Sequence, residues 1–227
     1  MVLPIYDLNR RRSFPFITLT LIASCVIVFI YQLTLGLSSE EGNRFVALYG
    51  AVPALILQGQ NISSIFSSMF LHGGWLHLIG NMFFLWVFGD NVEDFLGPVR
   101  YTLFYLLSGV AAAYSYVLFS GNYPYTPMIG ASGAISGVMG AYIYFFPRAP
   151  IITLIPLGIF SRVIPLPAWI YLLIWFGSQF LIAPSEGVAV QAHIGGFLAG
   201  VALAIIFSLG KRPRPARPTP ITYESPY

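Results

Sequence analysis

Hydrophobic positions fall in long blocks that no charge interrupts. Asp, Glu, Lys and Arg are absent from residues 13–39, 45–89, 101–147, 163–185 and 187–210. A helix crossing a bilayer needs ~20 mostly apolar residues at about 1.5 Å each. The first block supplies one span, 14–37. The second is long enough for two, but Pro53 and the polar cluster Gln58-Gly59-Gln60-Asn61 with Ser63 and Ser64 break it. The 13 residues before that cluster suit an interfacial or re-entrant segment, so this block supplies one span, 70–89. The third block is split by Gly121-Asn122-Tyr123-Pro124-Tyr125-Thr126-Pro127, a turn signal, into spans 101–120 and 129–146. The last two blocks give 167–183 and 189–209. The pattern predicts an all-α polytopic membrane protein with six transmembrane helices.

Composition agrees with this reading. Charged residues are 8% of the 227, against roughly 25% in a soluble domain, and hydrophobic residues are 57% with a mean hydropathy of +0.77. A soluble domain of this size needs a charged shell that 11 basic and 8 acidic residues cannot supply. A net charge of +3 gives no argument for nucleic acid. The single cysteine, Cys25, allows no intramolecular disulfide.

The positions of the charges orient the spans. An even span count puts both ends on one side, and the positive-inside rule makes that side cytoplasmic. Arg10, Arg11, Arg12, Arg100, Arg148, Arg162, Lys211, Arg212, Arg214 and Arg217 then fall inside, and only Arg44 outside. A five- or seven-span chain would leave one basic end outside. Residues 1–13 read as a cytoplasmic segment, 14–210 as the membrane domain and 211–227 as a Pro-rich, disordered cytoplasmic tail. Residues 38–69 read as an outer loop with interfacial apolar patches at 45–57 and 62–70, and 148–166 as a hairpin-like or interfacial inner loop. Ile22-Ala23-Ser24-Cys25 after three arginines has the look of a lipoprotein signal. The apolar run continues past Cys25, however, which favours an uncleaved first helix with a buried cysteine.

Polar groups inside a membrane are costly and are functional candidates by default. The second span carries His72, His77 and Asn81, the fourth Ser132 and Ser136, and the sixth Gln191 and His193. These three spans run in the same direction, outside to inside. His77, Asn81, Ser132 and His193 therefore share one layer, a few turns below the outer surface. His77 and Asn81, four residues apart, share a helix face. Gly133, Gly137 and Gly140 line one face of the fourth span, and Gly196 and Gly200 form a G-x-x-x-G pair in the sixth. Such faces let backbones approach until short Ser and His side chains come within ~2.6–3.2 Å. Each signal alone has a plain packing explanation; their coincidence at one depth does not.

The layer has few chemistries open to it. Asp90, Glu93 and Asp94 lie at the inner end of the second span and Glu186 in the outer loop before the sixth, so no carboxylate dyad forms at this depth. His72-Gly73-Gly74-Trp75-Leu76-His77 is not the H-E-x-x-H of a zinc protease, and a three-histidine metal site would lack its general base. An ion carrier would place carboxylates within its spans. What remains is serine with histidine as its base.

Gly130-Ala131-Ser132-Gly133, Ala192-His193-Ile194-Gly195-Gly196 and His77-x-x-x-Asn81 together resemble the rhomboid family of intramembrane serine proteases over residues 14–210. The resemblance implies a six-helix core with a water-filled cavity open to the outer side. It implies Ser132 as nucleophile and His193 as general base and then acid. His77, Asn81 and the Ser132 backbone N–H would form the oxyanion hole, with Gly130 and His72 as support. No metal or other cofactor is implied. The partners would be the lipid bilayer and membrane proteins with helix-destabilised transmembrane segments, often single-pass. The sequence assigns no oligomeric state.

The chain also departs from the family pattern. Ser63 and Ser64 stand where many members carry a Trp-Arg pair in the first loop. Ser136 stands where some carry an aromatic that stacks on the histidine, which leaves imidazole positioning to other groups, with glycine packing the candidate. A prokaryotic plasma membrane is the expected location. Two rival readings share the scaffold or the membrane. One is a catalytically inactive binder or chaperone, which has no need of both dyad residues. The other is a small transporter, against which the lack of intramembrane carboxylates counts.

Overall fold

The computed structural model describes residues 2–9, 11–121, 123–156, 158–181 and 189–210. The predicted tail 211–227, Arg10 and Glu186 lie outside the described residues. Every predicted span contains a helix: α1 (Phe16–Leu35), α5 (Trp75–Leu96), α6 (Pro98–Phe119), α7 (Ser132–Phe145), α8 (Ala168–Ser178) and α9 (Val190–Ser208). Three of them, α1, α6 and α9, are long and apolar enough to cross a membrane by themselves. α1 runs unbroken through Cys25, whose side chain is buried.

The remaining three depart from simple spans for identifiable reasons. α5 starts only after Gly73-Gly74 and continues to Leu96, so Asp90, Glu93 and Asp94 lie within its last two turns. It stops at Gly97, whose φ is +79°, and Pro98 opens α6 directly. A left-handed glycine after one helix and a proline at the first position of the next make a sharp corner. α7 has 14 residues, about 21 Å, less than a hydrocarbon core of ~30 Å. Every residue from Gly133 to Tyr142 is buried, as in a helix enclosed by others. α8 is also short and is extended by a 3-10 turn, Gln179–Leu181.

The predicted loop 38–69 folds into short helices, α2 (Glu40–Tyr49), α3 (Pro53–Leu57) and α4 (Ser64–Ser67), then a 3-10 turn, Ser68–Phe70. Ser39 caps α2, its Oγ accepting from Gly42 N at 2.9 Å. The predicted loop 148–166 forms an antiparallel hairpin of β2 (Pro150–Ile155) and β3 (Arg162–Pro167). Within the predicted N-terminal segment, β1 (Leu3–Asp7) pairs antiparallel with β2, giving the sheet order β1-β2-β3. Pro165 and Pro167 lie on β3, an edge strand, where a missing N–H can be tolerated.

A polar network ties this sheet to the end of the bundle opposite Ser132. Tyr142 Oη donates to Asp7 Oδ2 at 2.5 Å, and Asn91 Nδ2 donates to the same oxygen at 2.8 Å. Asn91 also donates to Asp90 Oδ1 at 2.9 Å, and Arg11 pairs with Asp90 at 3.2 Å. Burial and the neighbouring Asp90 push the Asp7 carboxyl up to about 7. One turn on, Glu93 accepts from Ile17 N, Thr18 N and Thr18 Oγ1 at 2.8, 2.8 and 2.7 Å. It thereby satisfies the first-turn donors of α1 and binds that helix to α5.

Candidate active site

Glycine sets the spacing between α7 and its neighbours. A β-carbon on Gly196 would lie 2.1 Å from the Gly133 carbonyl oxygen, and one on Gly200 2.1 Å from that of Gly137. On Gly140 it would meet the Phe197 carbonyl oxygen at 2.3 Å, and on Gly133 the Ala112 β-carbon of α6 at 2.6 Å. None of these positions has room for a side chain, so the backbones meet directly. All five glycines singled out in the sequence line this seam.

The seam brings together two residues 61 positions apart. Ser132 is the first residue of α7 and His193 lies in the first turn of α9. Their Oγ and Nε2 atoms are 2.8 Å apart. That distance suits transfer of the hydroxyl proton to a neutral imidazole. Because α7 begins at Ser132, the N–H groups of Ser132, Gly133 and Ala134 precede its first intrahelical bond, which Ile135 N makes to the Ala131 carbonyl at 3.0 Å.

The other imidazole nitrogen has a partner absent from the sequence-derived candidates. His193 Nδ1 lies 2.8 Å from Oε1 of Gln179, in the 3-10 turn after α8. Trp175, one turn earlier, has its ring centroid 6.1 Å from that of His193, tilted 39°. Glycine packing therefore sets the distance between the helices, while Gln179 contacts the ring. Ser136 does not reach His193; its Oγ donates to the Ser132 carbonyl at 2.7 Å, an intrahelical bond. The only signal of Gln179 in the sequence is its place near the end of the fifth predicted span, where a polar residue reads as the approach to water.

His77 and Asn81 gather around Gly130, two residues before the serine. A β-carbon on Gly130 would lie 2.6 Å from His77 Nε2 and 3.7 Å from Asn81 Nδ2. Gly130 has φ +119° and donates its N–H to the Ser68 carbonyl at 2.9 Å. Both the left-handed backbone and the close histidine require glycine there. Among the described residues, Asn81 Nδ2 is buried without a hydrogen-bond partner, a donor available to an incoming acceptor.

His72 is fully buried, its ring edge-on to His77 at 5.2 Å. Its backbone is bracketed by Gln32 of α1, which accepts from His72 N at 3.0 Å and donates to His72 O at 3.2 Å. His72 thus anchors the loop before α5 rather than touching Ser132. Gln191 contributes its backbone carbonyl, which accepts from Ser115 Oγ of α6 at 2.8 Å.

Helices packed glycine to glycine, with a serine hydroxyl held on an imidazole inside an apolar bundle, define a polytopic helical membrane protein centred on a Ser–His pair. The chain belongs to the rhomboid family, whose Rhomboid domain matches residues 59–210. It is 30% identical over 203 residues to Rhomboid protease GluP of Bacillus subtilis (strain 168), covering 89% of this chain and 36% of that protein. It is 33% identical over 175 residues to Rhomboid protein 1, mitochondrial, of Saccharomyces cerevisiae, covering 70% of this chain and 45% of the other. Rhomboid protease GlpG of Salmonella typhi is 26% identical over 219 residues, covering 90% of this chain and 71% of that protein. The chain spans less than half the length of the first two relatives.

Proposed function

We propose that this chain is an intramembrane serine endopeptidase that cuts transmembrane segments of other membrane proteins with a Ser132–His193 dyad. The 2.8 Å contact between Ser132 Oγ and His193 Nε2 carries the reading. The protease names of two relatives support it. A non-catalytic binder would gain nothing from this contact.

In the proposed reaction, Ser132 Oγ attacks the scissile carbonyl carbon while its proton passes to His193 Nε2. The resulting oxyanion is stabilised by the Ser132 backbone N–H and by Asn81 and His77. His193 returns the proton to the amide nitrogen as the C–N bond breaks, leaving an ester on Ser132 and a free amine. Water then attacks the ester, giving its proton to His193. The Ser132 oxygen regains that proton as the carboxylic acid product leaves. Substrate segments need helix-destabilising residues, because a peptide bond inside a regular helix is shielded from attack. We further propose six crossings with both ends cytoplasmic, on the ten-to-one distribution of basic residues.

The test is cleavage of a single-pass reporter substrate in liposomes. Wild type cleaves, and Ser132→Ala and His193→Ala do not. Cleavage by Ser132→Ala at the wild-type rate overturns the proposal.

A further inference from the structure

We infer that Gln179 is the positioning residue of this site: its amide oxygen holds His193 in the tautomer that presents a lone pair to Ser132. This rests on the dyad reading above. A neutral imidazole has two tautomers, and only the one protonated on Nδ1 leaves Nε2 free to accept the serine proton. The partner of Nδ1 decides which tautomer is populated.

The orientation of the Gln179 amide is set by its own surroundings. Its Nε2 donates to the Trp175 carbonyl at 3.2 Å and lies 3.4 Å from Ser178 Oγ. Rotating the amide by half a turn would set Oε1 against the Trp175 carbonyl oxygen and an NH2 group against His193 Nδ1. The arrangement with Oε1 facing Nδ1 is the one in which every group finds a complement. Gln179 is itself buried, which removes water as a competitor for Nδ1.

Trp175 both accepts from the amide and lies beside the imidazole. The ring is thus placed by α8 and its 3-10 extension, at the position where Ser136 supplies no stacking group. The other titratable side chain facing His193 is His77 of α5; among the described residues no acid joins them. Gln179 therefore does by neutral hydrogen bonding what a carboxylate does in a three-member site. It orients the ring without compensating the imidazolium charge.

The experiment compares Gln179→Met and Gln179→Glu with wild type in the liposome assay across pH. Met is close in size but accepts no such bond. It is expected to lower kcat about tenfold or more at unchanged KM. In 15N-histidine spectra, the neutral His193 signal should change from one Nδ1–H tautomer to a mixture. Glu retains the acceptor and adds a charge that favours imidazolium. It is expected to keep activity and move the acid limb of the kcat profile up by about one pH unit or more.

A purely structural role would change thermal stability and leave the tautomer and the acid limb in place. An acid limb at the wild-type pH in Gln179→Glu, or an unchanged tautomer in Gln179→Met, overturns the inference. Ser132→Ala in the same assay separates the two proposals. If it is inactive while both Gln179 variants behave as wild type, only the role of Gln179 fails. If Ser132→Ala cleaves normally, the dyad itself fails.

Discussion

Gly200 of α9 faces Gly137 of α7 so closely that a β-carbon on Gly200 would lie 2.1 Å from the Gly137 carbonyl oxygen. Towards the helix N-termini, α9 carries His193 about two turns before Gly200 and α7 carries Ser132 about one and a half turns before Gly137. The reach of the imidazole to the hydroxyl depends on this contact, because neither side chain can lengthen to follow a receding helix.

Replacing Gly200 with Val forces α9 away from α7 by an ångström or more. We expect a destabilisation of about 1–3 kcal/mol from overpacking and a larger fractional loss of cleavage than of folded protein. Thermal unfolding in detergent alongside kcat checks this. Wild-type kcat in a folded Gly200→Val protein would show that the seam does not set the dyad distance.

Among the described residues, Asn81 Nδ2 is buried next to Gly130 with no hydrogen-bond partner. Asn81→Ala should lower kcat by about 10²–10³ if that donor meets the oxyanion, with little change in KM. An effect confined to KM would reassign Asn81 to substrate binding.

Glu93 serves three donors of α1, at the end of the bundle away from Ser132. Glu93→Ala leaves those donors without their acceptor and should cost about 1–3 kcal/mol. Denaturation in mixed micelles measures it. Unchanged stability would mean water replaces the carboxylate there.

Asp7 gives stability a pH dependence of defined sign. Folding raises its carboxyl from 3.8 to about 7, so between these values the folded chain holds a proton that the unfolded chain has released. Its contribution is fully present below pH 4 and is lost as the pH rises towards 7. Asp90, Arg11, Asn91 and Tyr142 share the cluster, and Asp7→Asn should flatten this part of the profile. Identical pH profiles for Asp7→Asn and wild type would contradict it.

What the sequence disclosed, and what it did not, follows from the range of each interaction. The nearness of Ser132 to His193, and of His77 and Asn81 to Gly130, was foreshadowed because a polar group within an uncharged run stands out and span direction fixes relative depth. Gln179 was not, since a polar residue in the last turn of a span looks like the ordinary approach to water. β1 was equally hidden: Leu3 finds its partner at Leu154, and no local pattern in five residues announces a strand completed from so far away. α7 was expected to start at 129, but the left-handed backbone of Gly130 delays it to Ser132. That delay puts Ser132 at a helix N-terminus.

The central claim is that His193 activates Ser132. Labelling by a serine-directed fluorophosphonate probe tests it without any knowledge of the substrate. The wild-type protein should label at Ser132, and His193→Ala should label far more slowly although folded. Equal labelling of the two, or labelling that persists in Ser132→Ala, would contradict the account.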